Sequence, residues 1–91
     1  MEIKLEPSIS RCIETVAKNE YERVLSILLR GDQEDRQLGE KLELLRLFLE
    51  STDFGQLRSI SEELLLSGKR VEFILKSTNR VPEYEIEINP V

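Results

Sequence analysis

Histidine and tryptophan are absent from this 91-residue chain, and Cys12 is its single cysteine. Without imidazole there is no side chain that ordinarily titrates near neutrality, no Ser-His or Cys-His nucleophile pair and no histidine metal ligand. A zinc site would need Cys12 plus carboxylates alone, so neither metal nor cofactor is expected. One cysteine forms no internal disulfide, as in proteins of reducing compartments. Long apolar runs are also missing. None exceeds three residues, for example Leu64-Leu65-Leu66, whereas a membrane span needs roughly 20. Residues 1–6 carry acid where a signal peptide has a basic start followed by an apolar run. The expectation is a soluble, cytoplasmic protein that does not engage membranes.

Alanine is scarce too, one residue against 15 Leu, 8 Ile and 5 Val. Large aliphatic side chains suit a core built from few elements, and the length fits one domain over residues 1–91. The chain is acidic, with 13 Lys+Arg against 18 Asp+Glu and a net charge of -5.

Glu2, Ile3, Lys4, Leu5 and Glu6 alternate as in a half-buried strand, and Pro7 ends the pattern. Ser8 or Ser10 can cap a first helix from about Ile9 to Arg30, with Gly31 as its stop. Its first half aligns Ile9, Ile13, Val16 and Ala17, and its second half Tyr21, Val24, Leu25 and Leu28. The two stripes are offset by about 80° at 100° per residue. A bend near Lys18-Asn19, or two different packing partners, would reconcile them.

Asp32 or Asp35 can cap a second helix at about 34–51, with Gly39 as an alternative start. Leu38, Leu42, Leu45 and Leu49 form its main stripe, widened by Leu44, Leu47 and Phe48 to about 220° of the wheel. Only Arg36, Glu43, Arg46 and Glu50 fill its polar wedge. This helix is either the hub of the core or half of a subunit interface. Asp53 with Gln56 reads as a capping box opening a third helix at about 54–67, closed by Gly68. Val71, Phe73 and Leu75 alternate with polar residues and predict a strand, although Val71, Ile74, Leu75 and Thr78 also have helical spacing. A turn is predicted at Ser77–Arg80. A last strand spans Glu83–Asn89, with Tyr84, Ile86 and Ile88 inward. The fold expected is α+β in two layers, with three helices on one face of a small three-stranded sheet, in the order β-α-α-α-β-β.

No motif brings catalytic chemistry. Gly68-Lys69-Arg70 lacks the earlier glycine and the following Ser or Thr of a phosphate loop. Residues 32–40 fail as a calcium loop, because Arg36 and Gln37 stand where a ligand and a glycine are required. Cys12 has no base to activate it and reads as a small apolar side chain. Tyr21 and Tyr84 read as packing residues. Glu20 falls at the centre of the first helix's stripe if that helix is straight. It is then a buried acid needing a basic partner; with a bend it moves to the rim.

These features predict a small non-enzymatic protein–protein interaction module, forming a homodimer or a subunit of a larger assembly. The partner is itself or another protein, reached through an apolar helix face or an edge strand. Leu44, Leu47 and Phe48 are the candidate contacts. Ile74 joins them as an apolar exception on the outer sheet face. An alternative uses charge. Residues 55–81 carry Arg58, Lys69, Arg70, Lys76 and Arg80 against three acids. With residues 69–78 helical, the chain resembles a winged helix-turn-helix and these five would face nucleic-acid phosphates. The sequence pI of about 4.8 disfavours that alternative.

Overall fold

The computed structural model describes residues 2–31, 36–78 and 81–85. Its elements are β1 (Glu2–Leu5), α1 (Ile13–Leu29), α2 (Arg36–Ser51), α3 (Phe54–Leu66), β2 (Phe73–Thr78) and β3 (Val81–Glu85). The chain is an α+β protein of three helices and an antiparallel sheet. β2 pairs with β3 on one side and with β1 on the other, giving the strand order β1-β2-β3. Ile3 faces Leu75 and Leu5 faces Phe73 in the first ladder, and Lys76 faces Glu83 in the second.

Alternation places Ile3, Leu5, Val71, Phe73 and Leu75 in one core with Ile13, Ala17, Val24, Leu44, Leu45 and Phe48. One face of the sheet is therefore apolar and carries the helices, while Glu2 and Lys4 on the other are exposed. Residues 73–78 are strand and not helix, so β-branched and aromatic alternation prevailed over helical spacing.

The helix ends follow local chemistry. Asp53 caps α3 by accepting from the Gln56 N–H at 3.4 Å. At the other end the Gly68 N–H donates to Leu65 O and the Lys69 N–H to Leu64 O, both at 3.0 Å. Gly68 adopts φ +78° there, the left-handed residue on which this helix stop depends. Gly31, at φ +70°, closes α1 in a similar way through its N–H to Leu28 O.

Three expectations for the helices are corrected. The first helix begins at Ile13, not Ile9, because Ser8 and Arg11 bond each other's backbones in a turn and Cys12 is extended. Neither Ser8 nor Ser10 caps it: the N-cap is Cys12, without a side-chain cap bond, and Ile9 is left 76% exposed. Nor does α1 break at Lys18-Asn19; it is helical throughout Ile13–Leu29. Ile13, Ala17 and Val24 are buried along one continuous stripe, with Tyr21 and Leu28 packed against it. α1 packs on α2, α3 and β1. The Asp32 and Asp35 caps, Arg80 and the proposed inward Ile86 and Ile88 lie outside the described residues.

The wide apolar surface of α2 is used internally. Leu44, Leu45 and Phe48 are buried, and Phe48 meets Phe54 edge-on with ring centroids 5.3 Å apart. Burial of the Phe48 ring on several partners at once is what the second helix's extra apolar width provides.

Candidate functional site

The helix layer sets where a partner can reach. α1 packs most extensively on α2, α2 also meets β3, and α3 packs on α1. Residues 6–12 leave β1 and turn into α1, and Glu6 there pairs with Arg70 just beyond the end of α3. A groove forms between that turn and α3. One part, of about 590 Å³, is lined by residues 6–10, Leu65 and residues 68–70. A narrower part of about 150 Å³ continues toward Cys12, Thr15, Arg58, Ser61 and Glu62.

Residues on both walls are partnered. Arg70 grips Glu6 with two bonds, from Nε to Oε1 and from Nη2 to Oε2, the second at 3.0 Å. That pair joins the exit of β1 to the connection between α3 and β2, and the guanidinium holds the Glu6 carboxyl below its ordinary range. Arg58 Nε donates to Glu62 Oε1 at 3.2 Å. The Ser61 hydroxyl is turned back onto Leu57 O and Arg58 O. Ser61 is thereby satisfied at 2% exposure, consistent with the rule that buried polar groups find partners.

Cys12 lies at the N-terminus of α1, with Sγ 3.2 Å from Thr15 Oγ1. The Thr15 hydroxyl and backbone N–H, with the positive charge of Arg58, lower the thiol pKa from its ordinary value. A helix N-terminus stabilises a thiolate in this way. The described residues hold no group of three or more His, Cys, Asp or Glu suited to a metal ion.

Three of the four candidate contact residues are closed off. Leu44 is 1% exposed, Phe48 0% and Ile74 7%, and Leu47 is half-buried. The correction has a physical basis: α1, α3 and the sheet take up the broad face of α2 within one chain. Ile74 points away from Phe73 and Leu75 on β2, yet it too is sequestered. The four basic candidates among the described residues do not form a helical face either. Arg58 and Arg70 are paired with acids, Lys69 lines the groove, Lys76 lies on β2 opposite Glu2 and Glu83, and Arg80 is outside the described residues.

Sequence reasoning missed the groove because it counted Ile9 into the first helix. Pro7-Ser8-Ile9-Ser10 is the signal that was available, since proline and two serines favour a turn. Exposed large apolar residues are Ile9 (76%), which lines the groove, and Leu66 (77%), Leu29 (77%), Ile27 (39%) and Ile60 (38%) on the helices.

Glu20 has a separate role. Its carboxylate, 22% exposed, accepts from Lys41 Nζ of α2 at 2.8 Å and from Arg23 Nε at 3.1 Å. Arg23 and then Lys41 lower its pKa to about 2 against the opposing effect of burial. It is a clamp between α1 and α2 and not an isolated buried acid.

These features define a small α+β domain with a groove between the 6–12 turn and α3. A family model matches residues 1–85, and the chain belongs to that family. It is 42% identical to an uncharacterized protein of Archaeoglobus fulgidus, over 71% of this chain and 86% of the relative. No solved structure matches it. No helix among the described residues is long and apolar enough to cross a membrane.

Proposed function

We propose that this chain is a non-enzymatic, cytoplasmic protein–protein interaction module that associates with a second copy of itself through the β1 side of the molecule. The observation that carries the reading is the exposure of Ile9 at the groove between the 6–12 turn and α3, together with that of Leu66 in the last turn of α3. Large aliphatic side chains left in water beside a cavity gain free energy when a partner covers them. The lack of histidine and the internal pairing of Arg58 and Arg70 support binding over catalysis. The nucleic-acid alternative has weaker support. It requires a helix at 69–78, whereas residues 73–78 are extended and the basic side chains are dispersed.

Light scattering at about 100 μM tests the reading. The wild-type chain is expected at twice its monomer mass, and Ile9→Ser with Leu66→Ser at monomer mass. Both side chains are exposed in the isolated chain, so the double variant should keep the circular dichroism spectrum of the folded chain. A monomeric wild type at that concentration refutes self-association.

A further inference from the structure

β1 pairs with β2 along one edge and has no partner on the other among the described residues. An unpaired strand edge offers a row of backbone donors and acceptors to another chain. Its side chains restrict which chain fits. Ile3 and Leu5 point into the core, while Glu2 and Lys4 are exposed on the opposite face.

We propose that two copies join by antiparallel pairing of β1 with β1, about a two-fold axis passing beside Ile3. In that register Ile3 meets Ile3, and Glu2 of each chain faces Lys4 of the other. Both outward positions thus meet the opposite charge, and the two inward isoleucines extend one apolar layer. The register one residue along sets Lys4 against Lys4 and Glu2 against Glu6, which charge repulsion opposes. The register centred on Leu5 would set Lys4 against Glu6, but Glu6 is already held by Arg70 and Pro7 has no N–H to donate. Two-fold closure satisfies both strands equally and leaves no open end for further growth along β1.

This inference rests on the self-association reading. A four-residue strand buries far less than the roughly 800 Å² per partner of a standard interface. The remaining area has to come from surface beside β1, to which the exposed Ile9 of the 6–12 turn would contribute. Within one chain, Lys4 lies 4.0 Å from Glu72 and Glu2 stands opposite Lys76. The intermolecular contacts would complete an alternating row of charges across the sheet's outer face.

Charge reversal with mixing tests the pairing. Glu2→Lys and Lys4→Glu each place like charges opposite one another twice in the dimer. Self-association should weaken roughly 10- to 100-fold in each. An equimolar mixture of the two variants restores opposite charges at both positions and should return to dimer mass in sedimentation velocity. The double variant E2K/K4E should also be dimeric, and circular dichroism of each variant checks its fold. If both single variants remain fully dimeric, the β1 pairing is wrong while self-association stands. If they separate and the mixture does not recombine, the pairing is equally overturned. A monomeric wild type removes both proposals. Failure of Lys4→Glu to associate with no effect of Glu2→Lys would move the axis to Leu5 and overturn the register centred on Ile3.

Discussion

Replacing Glu20 by Gln removes the charge that Lys41 and Arg23 share while keeping the size of the side chain. The folded carboxyl titrates at about 2 against an ordinary value of 4.5. At about 1.4 kcal/mol per pH unit this gap sets a ceiling of about 3 kcal/mol. Arg23, which lowers it most, is more than half exposed, so solvent screening reduces the realisable contribution to about 1–2 kcal/mol. The sign follows from linkage. A carboxyl whose folded pKa is depressed stabilises the fold above its unfolded pKa, and loses that contribution as pH falls through the folded value. Urea unfolding of wild type and Glu20→Gln from pH 7 to pH 2 measures it. The difference should be about 1–2 kcal/mol at pH 7 and should shrink from about pH 5 downward. Taking the difference between two otherwise identical chains cancels the titration of every other acid. A difference that stays constant with pH, or is already zero at pH 7, would refute the clamp.

Phe48→Ala should cost about 3–5 kcal/mol by chemical denaturation, because the ring is 0% exposed and packs on Phe54. A cost under 1 kcal/mol would mean that the site collapses to fill the cavity. Cys12 should be alkylated with a pH midpoint below that of an unstructured cysteine peptide, since Thr15 and Arg58 favour the thiolate. Arg58→Ala should move that midpoint upward by a small amount, read from the iodoacetamide rate against pH.

Element limits were legible where chemistry is local. Asp53 three residues before Gln56, and the glycines at 31 and 68, mark helix ends through bonds made within a few residues. The strand at 73–78 was legible because Val71, Phe73 and Leu75 keep period two. The start of α1 was less legible. Ile9 continues a helical spacing, but spacing does not show that Pro7 and the Ser8–Arg11 turn interrupt the helix. The groove was not legible, because its walls come from residues 6–12 and 58–70, brought together only by the fold.

Histidine's absence, the lone cysteine and the amphipathic period of each segment are properties of the sequence by itself. They determined that the protein is built from helices and strands with one apolar face each, and they ruled out histidine chemistry and an internal disulfide. Only the tertiary structure decided that Leu44, Phe48 and Ile74 are sequestered, that Glu20 is clamped by Lys41, and that Ile9 is left in water. Periodicity states which side of an element is apolar, but not which other element covers it. That choice depends on contacts between residues far apart in the chain, and these exist only when the helices and sheet are packed together.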